Sequence, residues 1–178
     1  MRLLLLFSLA TFVALVLQTT LPRVLPLGIL VPDFVLILAV DLGMRHPRAL
    51  TALMAFAMGY TVDAFSGVEP GLNAMLLTMV FIFAYWLSRV LISTSTAVGV
   101  MAVFVGVIFT DISNYLISSG FAPADWLRAV MPAVLIQAAL SALLTPAVFR
   151  ITGWAVRMVG LARTARADKL LHTPQWRS

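Results

Sequence analysis

Few residues in this chain could do chemistry. Asp63 lies in "GYTVDAFSGVEPGLNA", Gly59 to Ala74, and Asp111 in "IFTDISNYL". Two carboxylates in apolar surroundings could share a proton and activate water, as an aspartyl dyad does. Their flanks do not resemble the Gly-x-Gly-Asp and Tyr-Asp contexts of intramembrane aspartyl proteases. His46 and His172 fall in separate polar segments, so no zinc-ligand spacing exists. No serine has a histidine or lysine base at a recognised spacing. The absence of cysteine removes thiolate nucleophiles, thiolate metal sites and disulfides. The chain therefore reads as non-enzymatic, with no cofactor and no metal.

The acids must be positioned by something, and the composition says what. Hydrophobic residues make up 62% of the 178 positions and charged residues 11%. Soluble domains run near 45–50% and about 25%. This is the composition of an integral membrane protein. Six stretches suit transmembrane helices: Leu3–Leu21, Gly28–Gly43, Ala49–Ser66, Gly71–Ile92, Thr96–Ser119 and Ala129–Phe149. The second is the shortest and carries Asp33 and Asp41. The first is expected to be an uncleaved helix rather than a signal peptide, because the apolar run is long and lacks a clear cleavage site. The connections are brief and rich in proline and glycine. The expected fold is all-α and polytopic: a six-helix membrane domain over 1–150 and a basic tail over 151–178.

The net charge is +5, and its placement favours lipid over nucleic acid. With six spans, Arg2, Arg45, Arg48, Arg89, Arg150, Arg157, Arg163, Arg166, Lys169 and Arg177 share one side, against Arg23 and Arg128 on the other. The positive-inside rule then puts both termini in the cytoplasm. The first half of the tail mixes apolar residues with arginines. It suits either a helix at the cytoplasmic lipid surface or a stop anchor for the sixth span.

Topology turns scattered polar residues into a pattern. Gln18, Asp33, Asp63, Asn73, Asp111 and Asn114 all fall in the outer half of the membrane. A carboxylate at the bilayer centre costs about 2.5–3.5 kcal/mol on insertion scales, and less near an interface. Gly59, Tyr60, Asp63, Ser66 and Gly67 share one face of the third helix. Asp111, Asn114, Tyr115 and Ser118 share a face of the fifth. These faces should point into the bundle or a hydrated pocket. They serve either as hydrogen-bonding glue between helices or as a site for a ligand, ion or partner. Gly99, Ala102 and Gly106 in the fifth helix, and Ala138 and Ala142 in the sixth, form small-residue faces for close packing, inside the bundle or against a partner. Ser66 and Gly67 should end the third helix, with Gly67 free to take a positive φ. Asp63 would fix the corner to the fourth helix, within reach of Asn73. On that reading an asparagine there should be tolerated, since the amide keeps an acceptor.

The order of these features resembles the rod-shape-determining protein MreD family. The resemblance rests on Pro32-Asp33 opening the second helix, the basic connection from Arg45 to Arg48, and Gly59, Asp63, Ser66-Gly67 and Gly71-Leu72, with the acidic fifth helix around Asp111. It covers most of the chain, although only Pro32 to Ala74 is distinctive. Asp41 and the long basic tail are not required by the family pattern. The resemblance implies a scaffold subunit of the bacterial rod-elongation machinery in the inner membrane. Its expected partners are MreC, RodA with its penicillin-binding transpeptidase, and indirectly MreB. The implied fold is distantly similar to the substrate-binding subunits of energy-coupling-factor transporters. A small-molecule-binding transporter subunit is therefore the alternative.

Overall fold

The computed structural model describes the backbone of residues 2–24, 31–66, 71–90, 95–118 and 125–171. These form six helices: α1 (Arg2–Val24), α2 (Phe34–Arg45), α3 (Ala49–Ser66), α4 (Leu72–Val90), α5 (Thr96–Ser118) and α6 (Asp125–Leu171). Among the described residues, α3, α4, α5 and α6 are long and apolar enough to cross a membrane, and α1 carries a shorter apolar stretch, Leu5–Leu21. The chain is an all-helical membrane protein by length and composition.

The second helix differs from its expected span. It opens at Phe34 rather than Gly28, and its 12 residues reach about 18 Å at 1.5 Å per residue. A hydrocarbon core is about 30 Å thick, so a crossing here needs the segments that flank α2 as well as the helix itself. Its start is fixed by Asp33, whose Oδ1 accepts the Leu36 N–H at 2.9 Å as an N-cap. Its end is set by Pro47, which cannot continue the helix.

From Phe34 to Val40 helix α2 is apolar all round, and such helices belong inside. Every residue from Val35 to Met44 is buried. One side of α2, with Val35, Leu38, Ala39 and Leu42, packs with Phe7 and Leu15 of α1, Ala55 and Met58 of α3, and Leu77 and Phe81 of α4. The other side, with Leu36, Ile37, Val40 and Met44, packs with Val80 and Ala84 of α4, Val103 and Val107 of α5, and Ala138 and Phe149 of α6. The core is thus two clusters divided by one central helix.

Small residues allow this packing. In lipid, helices associate by close contact rather than by hydrophobic exclusion, so backbones must approach. A Cβ on Gly99 would enter the Phe149 ring of α6, and one on Gly106 would lie 3.3 Å from Leu36 of α2. Ala102 and Ala138 are fully buried. The small-residue faces of α5 and α6 are therefore used inside the bundle. Large apolar side chains such as Leu9, Phe12, Phe65, Met101 and Leu143 face outward.

Helix α6 continues through residue 150 without a break, and Pro132 and Pro146 lie within it. Thr152, two residues past the expected end of the membrane domain, is buried, and Val156 packs against the α1–α4 cluster. The start of the expected tail thus belongs to the bundle.

Candidate functional site

The corner between α3 and α4 is built from three residues. Gly59 lets the first turn of α4 lie against α3: a Cβ there would strike the Asn73 carbonyl and sit 2.5 Å from the Ala74 Cα. One turn later, on the same face, is Asp63. Its Oδ1 accepts the Asn73 N–H at 3.0 Å, and its Oδ2 accepts the N–H groups of Gly71 at 3.0 Å and Ala74 at 3.2 Å. The first N–H groups of a helix have no partner within it, and its positive end favours an anion. Asp63 supplies both needs for α4 from a neighbouring helix, and it is itself buried. Gly71 completes the corner with a φ of +99°, a conformation that favours glycine.

This geometry corrects the expectation for an asparagine at 63. All three partners are donors, and they occupy both oxygens. An amide would turn its NH₂ toward a backbone N–H. The expected polar face of α3 is also narrower than proposed: Gly59 and Asp63 are buried, whereas Tyr60 is 55% exposed. Gly67 lies outside the described residues.

Beside the corner, the N-cap of α2 and helices α3, α4 and α5 line an open cavity of about 440 Å³, with Asp33, Ser66, Asn73, Thr110, Asp111 and Asn114 among its lining residues. The residues picked out in sequence therefore converge. Gln18 of α1 donates to Asp33 Oδ1 at 2.9 Å, and the Asp33 N–H donates to Ser141 Oγ of α6 at 3.0 Å. Asn114 donates to Asn73 Oδ1 at 2.9 Å, which joins α5 to the capped turn of α4. Asp111 Oδ2 and Asn114 Oδ1 are buried without a hydrogen-bond partner. Such acceptors are costly to leave unmade, and they suit a donor or cation entering the cavity.

The opposite end of α2 holds a polar cluster that sequence reading missed. Asp41 is 1% exposed, and its Oδ1 pairs with Arg45 Nε at 2.9 Å. Its Oδ2 accepts the Thr152 hydroxyl at 2.7 Å. Arg45 also donates to the Phe149 carbonyl at 3.1 Å and stacks over the Phe149 ring at 4.9 Å. Asp41 and Arg45 are one turn apart, a spacing visible in the sequence. Thr152 is 111 residues from Asp41, and nothing local signals it.

The remaining basic residues divide. Arg48 is exposed, and its N–H donates to Thr51 Oγ1 at 2.9 Å in the α2–α3 corner. In that corner, burial first and then the charges of Arg48 and Arg45 pull the His46 imidazole below its ordinary pKa. Arg157 lines a hollow with Arg45 at the end of the bundle. Arg163, Arg166 and Lys169 ride on α6, with side chains outside the described residues. No family model, curated protein or solved structure matches this chain.

Proposed function

We propose that the chain is a non-enzymatic scaffold subunit of the bacterial rod-elongation complex, of the MreD type. It would cross the inner membrane six times, with both termini in the cytoplasm and MreC as its nearest partner. The observation that carries this reading is the use made of the family-like motif. Gly59, Asp63 and Gly71 build a rigid helix corner, and the Asp63 carboxylate is spent on three backbone N–H groups. An acid so engaged offers no free base or nucleophile, which suits a scaffold whose product is shape. Deleting the gene from the source bacterium tests the proposal. Rods should round up and recover with the wild-type copy; unchanged rod shape rejects it.

One observation favours a second reading, a small-molecule-binding subunit of an energy-coupling-factor type transporter. The cavity beside the corner is large enough for a small solute and contains two carboxylates and two unpaired acceptors. Gene neighbourhood separates the two: wall-elongation genes favour the scaffold, and transporter ATPase genes favour the binding subunit.

A further inference from the structure

Gly153 and Trp154 lie three and four residues after Arg150, and Arg157 lies four and three after them, so the four share a face of α6. With Arg45 at the end of α2 they line an open hollow of about 520 Å³. Gly153 makes room for it: a Cβ there would lie 3.0 Å from Arg45 Nη1. Arg45 is held in place by Asp41, the Phe149 carbonyl and the Phe149 ring. Its charge is balanced by Asp41, so Arg150 and Arg157 give the hollow its net positive charge. Trp154 in its lining and two neighbours along α6 expose apolar surface. Ile151 is 65% exposed, Trp154 62% and Met158 49%.

We infer that this hollow binds a phosphate ester, and that its occupant is the headgroup of an anionic phospholipid. Planar guanidinium groups pair well with phosphate oxygens. Basic hollows between membrane helices are suited to such headgroups, and tryptophan favours the interface where they lie. The exposed apolar side chains give the acyl chains a surface next to the phosphate. The inference needs the chain to be in a membrane and is independent of the scaffold role.

The test is lipid binding to the full-length protein in detergent, read by native mass spectrometry. Phosphatidylglycerol, phosphatidylcholine and glycerol 3-phosphate are the probes. Phosphatidylglycerol should bind in preference to phosphatidylcholine. The double variant Arg150→Gln/Arg157→Gln should weaken that binding by about tenfold or more. Arg48→Gln/Arg89→Gln removes the same charge from exposed residues that do not line the hollow and should change it little. Binding of the lipid without glycerol 3-phosphate assigns the phosphate to a headgroup. Binding of both keeps the phosphate-ester site and overturns the lipid as its sole source. No preference for the anionic lipid, or equal losses in the two double variants, overturns the inference.

Discussion

The Asp63 carboxylate, carried by α3, accepts the Asn73 N–H at 3.0 Å and so caps α4, a helix to which it does not belong. Capping residues usually precede their own helix. Here the cap also ties two antiparallel neighbours, so removing it both frays α4 and loosens the α3–α4 pair.

That arrangement orders the variants at this position. Asp63→Leu leaves the buried N–H group of Ala74 and the half-buried ones of Gly71 and Asn73 without their partner. Each unpaired group costs about 1–3 kcal/mol. Asp63→Asn keeps one oxygen and should fall between wild type and leucine. Thermal unfolding in detergent should rank them wild type, asparagine, leucine. An asparagine variant as stable as wild type contradicts the two-oxygen cap.

Gly59 and Asp63 act on the same turn of α4, so their effects should not add. Gly59→Ala pushes Asn73 and Ala74 away from α3 and stretches the Asp63 bonds. Once Gly59→Ala is present, Asp63→Leu should cost clearly less than it does alone. Strict additivity in a double-mutant cycle would mean that the two residues act separately.

At the other end of α2, Arg45→Gln strands the Asp41 carboxylate in the core. Arg45 keeps 31% of its side-chain surface, so the loss should fall below that of a fully buried pair, about 3–5 kcal/mol. The double variant Asp41→Asn/Arg45→Gln removes both charges and should recover much of the loss. A double variant no more stable than Arg45→Gln alone argues that Thr152 and Phe149, rather than charge balance, set the value of this cluster.

His46 gives a pH signature. Its folded pKa lies below the ordinary value, chiefly through burial, so the unfolded chain takes up the proton first as pH falls. Its contribution is therefore fully present above the ordinary histidine pKa of about 6.5 and is lost as pH drops toward the folded value. Stability measured from pH 7.5 to 5.5 should fall more steeply for wild type than for His46→Gln. Parallel curves would show that His46 is not buried as described.

Helix positions were largely legible, because long apolar runs allow little else. Ala49–Ser66 needed no revision. The central place of α2 was hidden. Its apolar-all-round pattern suits both a lipid span and a buried helix, and only the five surrounding helices decide between them. The polar residues from Gln18 to Asn114 were legible as one cluster, because the six-span reading puts them at one depth. Which of them pair was not, since Gln18 meets Asp33 and Asn114 meets Asn73 through tertiary contact. Asp41 stood out only as a departure from the family pattern, because its partner Thr152 arrives from the far end of the chain.

The central claim is membership of a wall-elongation complex, and affinity capture tests it most directly. The tagged full-length protein is expressed from its own locus, solubilised from membranes in mild detergent and recovered, and its partners are identified by mass spectrometry. The account predicts MreC as the strongest partner, with RodA and its transpeptidase present, and the same set reduced for Asp63→Leu at equal membrane abundance. Recovery with a pair of transporter ATPases and without MreC contradicts it.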